Sequence, residues 1–252
     1  MIRMRISLLF LLLWLWSTFC IAQITSVAVA ANMKDTFSEI YAAFKATGKP
    51  ELRVIYGSSG NFTAQIMNGA PFNLFISADE SFPLELYKNG KTVDEGRVYA
   101  IGKIVLLTKN SSGLKLGNSK AELVLAIARA NKIAIAKPEL APYGKAAMEY
   151  MKGEGLWDFA KDKLVYGDNL GVATMYVVTG AADLGFTGLS LAKSPEVAKD
   201  AHYVLVDDGL YNPIKQRMVL MRGAPQEAVD LYKFMQTTQA KNILLKYGYS
   251  LP

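Results

Sequence analysis

The hydrophobic positions of the chain switch repeatedly between two periods. Residues 25–30 (TSVAVA) form a short apolar, β-branched run, which predicts a buried strand. Residues 34–45 follow with Phe37, Ile40, Tyr41 and Phe44 at helical spacing, an apolar stripe for one buried face. The alternation continues with strands over 52–56, 73–76 and 104–108 and helices over 61–68 and 82–88. In the second half, helices are predicted over 121–130, 144–152 and 171–178, between strands at 132–136, 163–166 and 183–187. Two more strands, 203–206 and 217–221, precede closing helices over 226–236 and 239–247. Strands separated by helices imply an α/β fold of largely parallel sheets with helices on both faces. No internal repeat, low-complexity tract or Pro/Gly/Ser-rich linker divides the chain, as expected where two lobes are joined by strands that cross between them.

The N-terminus departs from this pattern. Arg3 and Arg5 precede an almost wholly apolar run, residues 6–19, and Cys20-Ile21-Ala22 then leads to Gln23. A basic segment, a short apolar stretch and a small residue predict a secretory signal peptide over 1–22, cleaved after Ala22. An uncleaved anchor would need a run of about 20 apolar residues. Cys20 is the only cysteine, so the mature chain has neither disulfides nor a thiol nucleophile. Loss of the two arginines lowers the formal charge from +6 to +4. That excess is spread along the chain, unlike the clustered patch of a nucleic-acid binder, and no nucleic-acid partner is expected.

In open parallel sheets ligands sit at the carboxyl ends of strands, where helices begin. Four such junctions share a chemistry: Ala30-Ala31-Asn32, Gly57-Ser58-Ser59-Gly60, Pro142-Tyr143-Gly144 and Gly167-Asp168-Asn169-Leu170-Gly171. Asn32 and Asn169 are placed as N-caps. Each junction offers unpaired backbone N–H groups at the positive end of a helix dipole, and its small residues let those donors approach a ligand. Ordinary helix capping accounts for each junction taken alone. Convergence of the four would make a donor-rich pocket for a small anion without Lys or Arg.

Catalytic readings find little support. Gly57-Ser58-Ser59-Gly60 lacks the G-x-S-x-G elbow. His202 is the only histidine and therefore the only imidazole base for a secreted hydrolase using Ser59. One His and no mature Cys exclude an ordinary zinc site. The adjacent acids Asp79-Glu80 and Asp207-Asp208 read as solvated loop residues, and Tyr143, Met148, Tyr150 and Met151 as core.

In this order after the leader, the segments VAVAANMKDTF, YGSSGNFTAQIMNGAPFNLFISADE and YAIGKIVLLTK resemble the periplasmic molybdate-binding proteins of ABC transporters. The similarity runs on through APYGKAAMEY, YGDNLGVATMYVVTGAADLGF and KNILLKYGY and covers nearly the whole mature chain. It implies a two-lobed type II periplasmic binding protein, each lobe a mainly parallel sheet flanked by helices. One lobe would span 23–103 and 213–252, and the other 104–212. It further implies an oxyanion site made by Asn32, by the Ser59 hydroxyl and N–H, and by the backbone N–H groups of Tyr143 and Leu170, with Ala31 as a further donor. Part of the family adds a tyrosine hydroxyl from the strand near 183–188. Here that position is Gly188, which leaves Thr187 or the Tyr143 hydroxyl as possible substitutes.

The expected function is capture of molybdate, and of tungstate, in the periplasm and delivery to an ABC permease with its ATPase, by a monomer without cofactor or catalysis. Molybdenum would enter only as the bound oxyanion. Sulfate or another small anion is the alternative cargo, and a serine hydrolase the alternative class.

Overall fold

The structure is a computed structural model that describes residues 24–117 and 119–252; the predicted signal peptide lies outside the described residues. Among the described residues, ten strands form two five-stranded sheets. The first has the order β2-β1-β3-β10-β4, with β1 Ser26–Ala30, β2 Arg53–Gly57, β3 Leu74–Ile76, β4 Arg97–Gly102 and β10 Ile214–Leu220. The second has the order β7-β6-β8-β5-β9, with β5 Ile104–Lys109, β6 Ile133–Ala136, β7 Leu164–Gly167, β8 Leu184–Gly188 and β9 Ala201–Leu205.

Each sheet contains one strand that runs against the other four: β10 pairs antiparallel with β3 and β4, and β5 with β8 and β9. These reversed strands are the ones that follow a crossing between lobes. Only Lys103 separates β4 from β5, so the chain leaves one sheet and enters the other almost without a turn. Helices on both faces complete a two-lobed α/β fold.

The period-2 geometry of a strand explains why the first sheet needs helices on both sides. Val27 and Val29 of β1, Leu74 and Ile76 of β3 and Met218 of β10 pack into one cluster with Phe37, Ile40 and Phe44 of helix Lys34–Lys45 and with Leu231 and Leu244 of the two C-terminal helices. The intervening Ala28, Phe75 and Val219 face the opposite cluster, with Phe62 and Ile66 of helix Ser59–Met67 and Leu86 of helix Ser81–Lys88. Truncating a fully buried ring such as Phe37 to alanine costs about 3–5 kcal/mol. The second lobe has one continuous core around β5 and β6, which extends to Ala30 and Ala78 at the strand ends of the first.

Helix Lys34–Lys45 has the bounds its apolar stripe predicts. β4 carries no period-2 signal in the sequence, because RVYAIG mixes exposed, half-buried and buried positions without strict alternation and pairs with β10 across a bulge at Gln216/Arg217.

Candidate oxyanion site between the lobes

All four strand-to-helix junctions reach one small cavity. Ala30, Ala31 and Asn32 follow β1, Gly57, Ser58 and Ser59 follow β2, and Ala141, Pro142 and Tyr143 lie beyond β6; Leu170 follows β7 and Ala78 follows β3. The lining holds no charged side chain.

Each junction presents backbone donors. Ser59, Tyr143 and Leu170 lie in the first turns of helices Ser59–Met67, Pro142–Gly153 and Leu170–Thr179, where N–H groups have no intrahelical acceptor. The hydrogen bonds made inside the protein go to their neighbours. Gly144 N–H donates to Ala141 O at 2.9 Å and Ala173 N–H to Asn169 O at 3.2 Å. The Val172 N–H is capped by Asn169 Oδ1 at 3.1 Å, as the sequence predicts. Ala31 and Asn32 occupy a 3-10 turn ahead of helix Lys34–Lys45. Among the described residues, the N–H groups of Ala31, Asn32, Ser59, Tyr143 and Leu170 have no acceptor. Three helix N-termini and a 3-10 turn therefore direct positive dipole ends and free donors at one point, which suits an anion.

The two serines behave differently. Ser59 Oγ accepts the Ala78 N–H at 3.0 Å, which orients the hydroxyl and leaves its proton free. Ser58 holds the N-cap backbone conformation (φ −79°, ψ 147°) but makes no capping bond. The Gly60 N–H, one natural partner of such a cap, donates instead to Leu140 O across the cleft at 2.9 Å. A Cβ at Gly60 would lie 2.9 Å from Leu140 Cα, so the approach requires glycine.

Asn32 corrects an expectation. It is not an N-cap: Met33 occupies that position and makes no side-chain capping bond. The Asn32 amide instead donates to Gln216 Oε1 at 3.0 Å and Tyr249 Oη at 2.9 Å. A buried amide must satisfy both protons, and these two acceptors behind the cavity use them. What Asn32 has left to offer an anion is its backbone N–H.

Those acceptors belong to a buried polar network that the sequence reading missed. Gln216 Nε2 donates to Tyr143 Oη at 2.8 Å, and Tyr99 Oη donates to Gln216 Oε1 at 2.8 Å. Ser190 Oγ donates to Asn32 O at 2.8 Å and lies 2.9 Å from Tyr249 Oη. Burial holds the Tyr99 and Tyr143 hydroxyls well above the ordinary tyrosine range and pushes Tyr249 up to about 12, so all three keep their protons in neutral water. The sequence carries no advance signal of it, because Gln216 stands between Lys215 and Arg217 in the polar half of β10 and reads as one more solvated position.

The two substitutes for the family tyrosine are both engaged elsewhere. Thr187 Oγ1 lies 2.5 Å from Thr174 Oγ1, and the Tyr143 hydroxyl is held by Gln216. A Cβ at Gly188 would lie 2.9 Å from Tyr143 Cε1, so the glycine makes room for that ring. The remaining candidates lie outside the cavity. His202 is exposed on β9, its Nδ1 3.1 Å from Asn110 Oδ1. Glu80 pairs with Arg217, and Asp207 Oδ1 accepts the Gly209 N–H. Tyr143, Tyr150 and Met151 are buried core residues. Among the described residues no group of three or more His, Cys, Asp or Glu could hold a metal ion, and no helix is long and apolar enough to cross a membrane.

Residues 25–250 match the family model described as bacterial extracellular solute-binding protein. The chain is 34% identical over 238 residues to the molybdate-binding protein ModA of Azotobacter vinelandii, covering 92% of each. It is 36% identical over 225 residues to ModA of Rhodobacter capsulatus, covering 88% of this chain and 86% of that one. The solved structure of the Azotobacter vinelandii periplasmic molybdate-binding protein superposes with a TM-score of 0.79 at 33% identity, covering 90% of this chain and 99% of that one. The chain belongs to the bacterial extracellular solute-binding protein family.

Proposed function

We propose that this protein captures molybdate in the periplasm and delivers it to an ABC permease. The observation that carries the reading is the convergence of four helix-opening junctions on a cavity with free N–H and O–H donors and no charged side chain. Molybdate at neutral pH is a fully deprotonated tetrahedral dianion whose oxygens only accept hydrogen bonds. Backbone donors neutralise it by dipole, without a counter-charge that would hold any anion indiscriminately. Hydrogen phosphate brings a proton that such a lining leaves unpaired, at a cost of about 1–3 kcal/mol. Sulfate is smaller and is rejected only by fit; tungstate matches molybdate in charge and size and is accepted. The names of the two ModA relatives support the choice of molybdate. No resident cofactor or catalytic step is required.

The binding set is Asn32 through its N–H, Ser59 through N–H and hydroxyl, the N–H groups of Tyr143 and Leu170, and the Ala31 N–H. These come from both lobes, so a bound oxyanion favours the closed arrangement by its differential affinity. The test is titration calorimetry of the mature chain with molybdate, tungstate, sulfate and phosphate. Tight binding of the first two alone is expected. Preference for sulfate would keep the site and overturn the cargo; no heat with any of the four would overturn the function.

A further inference from the structure

Ser58 stands beside the predicted ligand set without belonging to it. Its side-chain oxygen is buried and has no hydrogen-bond partner, although the residue is only 4% exposed and lines the cavity. A hydroxyl in this state is costly, because burial removes its water and nothing replaces it. Its backbone is that of an N-cap, so the expected outlet would be a first-turn N–H of helix Ser59–Met67. Neither outlet is used: the Gly60 N–H is spent on Leu140 O at 2.9 Å, in the opposite lobe, and Ser58 makes no bond to the Asn61 N–H either. The neighbouring hydroxyl is in the reverse position, since Ser59 Oγ is fixed by the Ala78 N–H at 3.0 Å.

We infer that Ser58 is a further ligand of the oxyanion, its hydroxyl donating to an anion oxygen once the lobes are closed. The inference rests on the anion-binding reading and adds a determinant to it. The contact between Gly60 and Leu140 that joins the lobes also takes from Ser58 one of its two helix-capping donors, and the hydroxyl does not use the other. A bound oxyanion supplies the missing acceptor, and the bond is charge-assisted and so stronger than a neutral one. The cavity thus has two serine hydroxyls with different duties, one oriented in advance by the protein and one that depends on the ligand.

The test compares wild type with Ser58→Ala and Ser58→Gly in molybdate titrations of the mature protein. Glycine is needed because it keeps most of the helix-start preference that alanine loses. A charge-assisted hydrogen bond predicts that both variants bind about 10- to 100-fold more weakly than wild type, by similar factors. Affinity within twofold of wild type in both variants would overturn the inference. So would loss in the alanine variant with retention in the glycine variant, because helix geometry rather than the hydroxyl would then be responsible. If wild type itself ignores molybdate, the cargo assignment fails separately, and the same comparison is run with whichever of tungstate, sulfate or phosphate it binds.

Discussion

Gln216 reaches from β10 of the first lobe to Tyr143 of the second, its Nε2 donating to the tyrosine oxygen at 2.8 Å. The same side chain accepts from Asn32 and Tyr99 through Oε1. It therefore holds together two residues that frame the cavity from opposite sides. Gln216→Leu conserves volume but takes a partner from two buried polar groups, the Asn32 amide and the Tyr143 hydroxyl, while the Tyr99 hydroxyl keeps Ser77 O at 2.8 Å. Each such group costs about 1–3 kcal/mol when left unpaired. A chain of this size loses roughly 2–4 °C of thermal midpoint per kcal/mol. The variant should melt at least several degrees lower and bind molybdate more weakly. An unchanged midpoint in differential scanning fluorimetry would show that the network is dispensable.

Ser59→Ala removes two things at once. The anion loses a hydroxyl donor, and the Ala78 N–H loses the acceptor it has at 3.0 Å. Affinity for molybdate should fall by about tenfold or more, and the ligand-free protein should lose about 1 kcal/mol from the uncapped amide. Ser58→Gly differs in the second respect, because the Ser58 hydroxyl serves no protein group and glycine keeps most of the helix-start preference. Calorimetry paired with ligand-free melting separates the two serines. Identical losses in both readouts would contradict the distinct environments.

The sequence made the periodic elements and the chemistry of the junctions legible, because both are local. Asn169 shows its cap three residues ahead of the amide it satisfies, within one turn. The lobe-bridging relationships could not be read in this way. Gly60 and Leu140 are far apart along the chain, and nothing near Gly60 announces that its N–H is promised elsewhere. Asn32 failed as a predicted cap for the same reason: its partners Gln216 and Tyr249 are 184 and 217 residues away. The resemblance to a known family supplied a site list, but it gave no information on which atom of Asn32 remains free. Ser58 was missed because a serine before a helix reads as a cap until the competing partner of Gly60 is seen.

Asp35 provides a pH test of the interlobe groove beside the cavity, which it lines with Lys34, Tyr56, Met175 and Glu196. Burial raises its carboxyl above the usual range, Lys34 opposes this, and Glu196 on the facing lobe adds to it. For a group whose folded pKa is raised, the favourable contribution is complete below the unfolded value of 3.8 and is lost as pH rises through the folded value. Asp35→Asn removes that loss. The variant should therefore melt higher than wild type at neutral pH, with the difference shrinking as pH falls toward 3.8. Melting curves between about pH 3.5 and 7.5 decide this. A variant less stable than wild type at neutral pH would mean that the carboxylate's favourable position in the first turn of its helix outweighs burial and repulsion.

Gly60→Ala separates closure from ligand contact most cleanly. The added methyl would sit 2.9 Å from Leu140 Cα and 3.1 Å from its carbonyl oxygen, both backbone atoms of the other lobe. Within its own lobe the methyl would lie 3.1 Å from Phe82 Cζ, a ring tip that can shift by a few tenths of an ångström, and alanine is a better helix former than glycine by about 1 kcal/mol. The ligand-free midpoint should hold or rise slightly, since no anion donor has been removed. Binding should nevertheless weaken by about tenfold or more, as lobes that cannot meet leave Tyr143 and Leu170 out of reach of an anion held by Ser59. Small-angle scattering should show compaction on adding molybdate to wild type and little in the variant. If the variant binds and compacts like wild type, Leu140 can withdraw without cost, and the Gly60–Leu140 contact is a consequence of closure rather than a condition for it.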